Sequence, residues 1–524
     1  MIAEHYPLTS LPRLSRLFLD FCGGEARSFY DVSADVKRRS TNTDRAELVA
    51  MLSEQNPTAT DSLAALREGA DAVVTGQQVG LFGGPLFTIF KAATAIARAA
   101  QASAEGRRHV PIFWMASEDH DLAEVNHVTL PGRNELHRFA YSAQPSFAIP
   151  AGSVMFDESI SALAEQVGEL IGTSDAQQAL QAAYRPGRTF AQAFAQFYSA
   201  VFAGHGLLIF DANNRTAHRL GASVLQAAIE RADELHAALI ERNRLLAAAG
   251  YHAQVSVTER SSLLFLIDGN TGARLALKRT AATSTEPAGV WQAGRESYST
   301  ADLVAILASE PERISPSALL RPVFQDVLLP TTTYVGGPAE VAYFAQSAVL
   351  YERILGRTTP VVPRFSATIV EPSVGKLLRQ HQLPLGTVLT ESEAELGQWL
   401  AVRSLPANGR QALAAAGNAL DVELAALLEW MHAVDEGLGR SGETAASKMR
   451  YQMNRLRRIN ANFELEREKT LGRHAHLIHQ SLLPDGHMQE RSIGAAYFLA
   501  RYGSSLAQDV VKYALAAGHT LLWV

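Results

Sequence analysis

With 524 residues, 47% apolar and 19% charged, the chain is globular, has length for about three domains and can bury a sizeable core. A net charge of −6, from 47 basic and 53 acidic residues, argues against a general binder of nucleic acid or membrane surfaces. The single cysteine, Cys22, excludes an internal disulfide framework or cysteine-based metal site, and no apolar run approaches the roughly 20 residues that span a bilayer.

Glu4 and early prolines stand where a secretory leader would have a basic region and an apolar core, so a cytoplasmic protein is expected. Residues 1 to 70 read as amphipathic helices broken at Pro7, Pro12, Gly23-Gly24 and Pro57. Ala72-Val73-Val74 then reads as a buried strand, and Leu86 to about Ala100 as a helix rich in Ala, Ile and Phe. Gly83-Gly84-Pro85 marks the junction between them. Such a strand, glycine turn and helix start can present free N–H groups to an anion, with Lys91 leaning back toward it. The turn matches neither GxGxxG nor the P-loop pattern, and an ordinary βα junction remains the alternative.

Val110 to Met115 is the second expected strand, completing a right-handed βαβ unit in a parallel sheet. It feeds a cluster containing Glu118, Asp119, His120, Asp121, Glu124 and His127. A helical reading places His120, Glu124 and His127 on one face, compatible with a divalent metal. A strand-end reading makes the cluster a substrate site with a general base, and a solvated acidic loop is the third possibility.

Residues 131 to 205 combine turns with a long helical pattern. Gly206 to Asp211 is a third buried strand, residues up to about Gly250 are helical, and 252 to 280 read as an antiparallel hairpin. A strand ending at Tyr334-Val335 runs into Gly336-Gly337-Pro338, echoing the first glycine turn, with Glu340 in the following helical turn. Thr359 to Arg364 adds a short strand. From about Glu391 the composition shifts to Ala, Leu, Glu and Arg. Leu420, Leu424, Leu427, Met431, Val434 and Leu438 form a heptad seam, which resumes at Met449, Met453, Leu456 and Phe463. Two such helices turning at Gly437 and Gly439 make an antiparallel hairpin, for which a second copy of the chain is the expected partner.

Taken together, these stretches resemble the BshC family of bacillithiol-synthesis cysteine ligases. The resemblance rests on Thr75-Gly-Gln-Gln, Gly83-Gly-Pro to Lys91, Phe113-Trp-Met-Ala-Ser-Glu-Asp-His-Asp121, Leu320-Arg-Pro-Val-Phe-Gln-Asp326, Tyr334-Val-Gly-Gly-Pro338 and Ala342-Tyr-Phe-Ala-Gln346. It implies an α/β fold: a Rossmann-like parallel-sheet core (1–385) with insertions at about 131–205 and 212–320. A coiled-coil hairpin (386–482) for homodimerisation and a C-terminal segment (483–524) returning to the core complete it. The implied reaction joins cysteine to glucosaminyl-malate through an amide bond. Neither an HxGH nor a KMSKS-type motif is present.

An amide does not form from a free carboxylate and an ammonium in water without activation, so ATP is the expected cosubstrate, with Mg2+ as its accompanying ion. Gln77, Gln78, Gly83, Gly84, Lys91, Gly336 and Gly337 are the candidates for its phosphates. Glu118, Arg321, Gln325, Glu340 and Arg364 are the candidates for substrate, the arginines as carboxylate clamps or as structural ion-pair partners. His120, Asp119 and Asp121 are the catalytic candidates, with His120 as base. Two other readings are a metal-dependent phosphohydrolase built on His120, Asp121 and His127, and a non-catalytic dimeric nucleotide sensor. No resident metal, nucleic-acid or membrane partner is expected.

Overall fold

The computed structural model describes residues 2–30, 44–133, 135–143, 145–279, 290–503 and 505–524. The chain divides into two compact units, one of Met1–Thr9, Arg13–Thr368 and Glu490–Leu522, the other of Ser10–Pro12, Ile369–Gln489 and Trp523–Val524. The second unit therefore begins before the boundary expected at 385/386.

The first unit is built on a five-stranded parallel sheet. Its strands are β1 (Asp71–Gln77), β2 (His109–Met115), β3 (Leu208–Asp211), β4 (Thr331–Gly336) and β5 (Val361–Pro363), in the order β5-β4-β1-β2-β3. β1 lies in the middle because Ala72, Val73, Val74 and Thr75 carry nothing that needs water; all four are buried. The helix Phe87–Ala104 returns the chain from β1 to β2, as the spacing of the two apolar runs requires. β4 pairs with β1 in parallel, Tyr334 opposite Val74 and Val335 opposite Thr75. From β1 the chain builds outward to β2 and β3 on one side, then to β4 and β5 on the other. The strand order thus reverses between β1 and β4, the place where open α/β sheets form a ligand crevice.

The outer edge of β3 is closed by side chains. Asn56 Oδ1 accepts from the Ile209 N–H at 2.7 Å and its Nδ2 donates to the Ile209 carbonyl at 2.8 Å, while Gln55 makes the same exchange with Asp211. Two amides therefore occupy the hydrogen-bonding row that an edge strand otherwise offers to another chain.

The hairpin expected at 252–280 is Ser261–Ile267 paired with Arg274–Arg279, but it is part of a five-stranded antiparallel sheet. Ile314–Pro316 joins one side of it, and Trp291–Ala293 followed by Glu296–Tyr298 joins the other. Three-residue strands are too short to show a period of two, so the sequence pattern concealed them. The described residues of 131–205 include the α-helices Ser159–Ile171, Asp175–Ala183 and Phe190–Val201. The N-terminus departs from its helical reading: Ile2–Tyr6 is a strand beside His519–Trp523.

The second unit carries the helices Ala407–Val434 and Glu436–Arg467, which pack antiparallel, with Arg450 on Asp421 and His432 on Glu443. Their turn is at Asp435, whose side chain accepts from the Leu438 N–H at 2.9 Å and caps the second helix. Gly437 and Gly439 are not the turn. Gly439 and Gly442 lie inside the second helix, where a Cβ would meet the His432 ring at 2.2 Å and Met431 Sδ at 2.7 Å, so they set how closely the helices approach. The pair closes on small residues, Ala446 and Ala461, with Leu424 at 6% exposure. Much of the heptad seam faces outward: Leu427 is 50% exposed, Leu456 53% and Phe463 62%.

Candidate active site

The carboxyl ends of β1 and β4 open into a cavity of about 290 Å³, lined by Gly76, Gln77 and Gln78 from one strand end and by Gly337 to Glu340 and Tyr343 from the other. Asp119 and Glu124 form a further wall, and Arg321, Arg364 and Arg491 reach it from three separate segments. A groove of about 1070 Å³ runs along the β3 edge. It lies away from the switch point, and Arg188 is its one cationic lining residue among those described.

On the cationic side, side chains saturate one another. Lys91 is buried and its Nζ donates to the Gly76 carbonyl at 2.6 Å and to Gln77 Oε1 at 2.9 Å, while pairing with Glu340. Burial lowers its pKa and Glu340 only partly restores it, leaving the ammonium at about 8. Glu340 also accepts the Gly337 N–H at 2.7 Å, capping its own helix, and the Tyr334 hydroxyl at 2.6 Å. Tyr334 accepts in turn from Arg321 at 3.3 Å, and Arg321 donates to Tyr343 at 2.6 Å and to Gln325 at 3.1 Å. Arg364 is bound to the Glu490 carboxylate and, at 2.8 Å, to the Phe365 carbonyl. Arg364 is thus held in an ion pair, whereas Arg321 meets two hydroxyls and an amide and, among the described residues, no carboxylate. Lys91 has three protons and three acceptors, and Gln325 is fully buried behind Arg321.

The Gly83-Gly84 turn is not an open cradle. Phe82, Gly83 and Gly84 all have positive φ (50°, 87° and 67°), and a Cβ on Gly83 would meet the Phe197 ring at 2.6 Å. The Gly83 N–H goes to the Tyr184 hydroxyl at 2.9 Å, the Gly84 N–H to the Leu81 carbonyl and the Leu86 N–H to the Ile493 carbonyl at 2.8 Å. None of these three donors is left for an anion. Gly336 continues the sheet, and its carbonyl accepts the Arg364 N–H at 2.8 Å. Thus Gly83, Gly84 and Lys91 do not fit a triphosphate at this turn.

The acidic cluster divides three ways. Asp119 and Glu124 face the cavity, bridged by Gln78 Nε2 at 2.8 Å from each carboxylate. Glu118 turns inward to His218 Nε2 at 2.7 Å, whose Nδ1 lies 2.9 Å from the Ile314 carbonyl. His120 turns toward Arg274, with Nδ1 at 3.3 Å from the guanidinium, while Asp121 accepts the Glu124 N–H and caps a four-residue helix, Leu122–Val125. The expected helical face of His120, Glu124 and His127 does not form. His127 already begins the next strand, and no group of three or more metal-ligating side chains occurs among the described residues.

The Glu118–His218 pair has a pH signature. Burial pulls the His218 pKa down, but Glu118 outweighs it and the net shift is upward; burial pushes Glu118 up, but His218 outweighs it and the net shift is downward. The histidine contribution is complete below its unfolded pKa of 6.5 and is lost as pH rises through the raised folded value. The glutamate contribution is complete above 4.5 and is lost as pH falls through the lowered folded value. The stability gap between wild type and His218→Gln is therefore expected to narrow as pH rises above about 6.5 in urea titrations. A constant gap would mean a neutral ring in the folded protein.

Sequence reasoning missed Arg491, Tyr343 and Phe87, all lining the cavity. Tyr343 lies within one of the family motifs, whereas Arg491 sits in a polar triplet, Gln489-Glu490-Arg491, with no pattern to mark it.

Comparison with known proteins accords with this architecture. Residues 7–365 match the family model "Bacillithiol biosynthesis BshC, N-terminal Rossmann-like domain", and residues 367–522 match the "C-terminal coiled-coil domain" of the same description. Three relatives share the name "Putative cysteine ligase BshC". That from Koribacter versatilis is 41% identical, over 98% of both chains. Those from Solibacter usitatus and Salinibacter ruber are 34% identical over 95% of both chains, and 31% identical over 97% of this chain and 96% of the relative. Family models covering both units and relatives aligned end to end lead to one assignment: the chain belongs to the BshC family.

Proposed function

We propose that the protein is a cysteine ligase of bacillithiol synthesis, joining cysteine to the amine of glucosaminyl-malate at the switch-point crevice. The observation that carries this reading is a carboxylate wall, Asp119 and Glu124, sharing one small cavity with a cationic one. The attacking amine enters as ammonium, is steadied by Asp119 and loses its proton to that carboxylate before it attacks. Asp119 is the proposed base, because it is open to the cavity while His120 Nδ1 is directed at Arg274. The Lys91–Glu340–Tyr334–Arg321 network holds the opposite side rigid, so little reorganisation is needed there.

ATP, with Mg2+, is the proposed activator of the cysteine carboxylate on chemical grounds. The Gly83–Lys91 turn does not fit its phosphates, so the residues described here carry binding and proton handling alone. Purified protein incubated with ATP, cysteine and glucosaminyl-malate is expected to release bacillithiol, and scoring AMP against ADP identifies the mode of activation. Absence of thiol product at every nucleotide and cysteine concentration would overturn the reading. A cytoplasmic location fits such a substrate set, and no helix among the described residues is long and apolar enough to cross a membrane.

The protein is proposed to act as a homodimer, through the outward apolar residues of the helical hairpin. A double variant, Leu427→Asp with Leu456→Asp, is expected to sediment as a monomer with an unchanged circular-dichroism spectrum. A dimer that survives both charges would place the interface elsewhere.

A further inference from the structure

Three cations surround the ring of Phe87: Lys91 at 5.8 Å, Arg364 at 5.2 Å and Arg491 at 5.7 Å from its centroid. The first two are spent, on Glu340 and on Glu490. Arg321 is spent on two tyrosines and a glutamine. Among the described residues lining the crevice, Arg491 is the cation whose guanidinium meets no acceptor of its own chain. It is exposed, and its donors are open to whatever enters.

Its position is nevertheless fixed from both sides. The preceding residue, Glu490, is buried and accepts from Arg364, from Ser366 Oγ at 3.1 Å and from the Ala367 N–H at 3.2 Å. On the other side, the Ile493 carbonyl accepts the Leu86 N–H at 2.8 Å, the Ala495 N–H donates to the Gly84 carbonyl at 3.0 Å, and Gly494 bridges Pro85. The glycine turn therefore has a use the sequence did not reveal. It docks the C-terminal segment that brings an arginine to the crevice.

We infer that Arg491 binds the carboxylate of an α-amino acid, whose ammonium group rests on Glu124 across the same cavity, with Asp119 left to the attacking amine. A cavity of about 290 Å³ has room for a molecule of that size beside an incoming amine, and a guanidinium fork matches a carboxylate in two parallel hydrogen bonds. This deepens the ligase reading and rests on it for the identity of the amino acid, cysteine.

The test is calorimetric binding to the full chain, without turnover. The probes are L-cysteine, cysteamine (which lacks the carboxylate), 3-mercaptopropionate (which lacks the ammonium) and L-malate. Wild type is expected to bind L-cysteine about tenfold or more tightly than either single-charge thiol. Arg491→Ala is expected to erase the preference over cysteamine while keeping that over mercaptopropionate, and Arg491→Lys to restore part of it. Because Arg491 is exposed, neither variant should change the melting temperature; should alanine do so, Arg491→Gln carries the same comparison. Equal binding of cysteine and cysteamine by wild type, or an unchanged ratio in Arg491→Ala, would overturn the inference. So would dependence on Arg491 confined to L-malate. A missing ligation product alongside the expected binding ratios would instead defeat the ligase reading and leave this one standing.

Discussion

Glu490→Ala is expected to cost about 3–5 kcal/mol of folding stability, because it strands a buried guanidinium. Glu490 and Arg364 are both buried in the first unit, with two guanidinium nitrogens directed at the two carboxylate oxygens. The same carboxylate takes the Ser366 hydroxyl and the Ala367 N–H, so its removal leaves three donor groups without their partner. Burial pushes the Glu490 pKa up, but Arg364 outweighs it and holds the carboxyl below its usual value, keeping it charged at neutral pH. Glu490→Gln separates charge from shape: it keeps the volume and one acceptor, and is expected to lose less than alanine. The measurement is a urea titration with the slope held constant. A loss below about 1 kcal/mol for alanine would show that Arg364 finds solvent without cost. Since Glu490 also sets the neighbouring Arg491, the surviving folded protein is expected to bind L-cysteine more weakly, although Arg491 itself is untouched.

Asp119→Asn is expected to lower turnover in cysteine ligation by about 10² or more with little change in melting temperature. The side chain is 39% exposed and its contact with the buried Arg274 is long, at 4.0 Å, so little of the folding energy rests on it. Asparagine keeps the contact with Gln78 after an amide rotation but accepts no proton at neutral pH. Two neighbouring variants sharpen the result. Asp121→Asn should stay within severalfold of wild type, because Asp121 caps a short helix and asparagine caps nearly as well. His120→Ala reports on a ring directed at Arg274 rather than at the cavity, so its expected effect is smaller than that of Asp119→Asn. Full activity in Asp119→Asn with a collapse in His120→Ala would return the base to the histidine.

The sequence by itself determined the framework. Ala72 to Val74, Val110 to Met115 and Leu208 to Phe210 are runs too apolar to lie anywhere but inside a sheet. The helix between the first two forces them parallel, and heptad spacing from Leu420 onward announces a helical hairpin. These are consequences of local periodicity, and long family motifs add the identity of the chain. Only the tertiary structure decided which polar groups are free. Lys91, Arg321, Arg364 and Gly83 all read as anion binders in one dimension, yet each finds its acceptor elsewhere in the chain, Arg364 in Glu490, 126 positions away. Arg491 shows the converse: nothing in Gln489-Glu490-Arg491 marks a site, and it becomes one because the Gly84–Leu86 backbone holds the following residues against the crevice. The physical reason is one of range. Burial follows from composition over a few residues, whereas hydrogen-bond saturation depends on partners that folding alone brings together, and a binding group is one that folding leaves unsaturated.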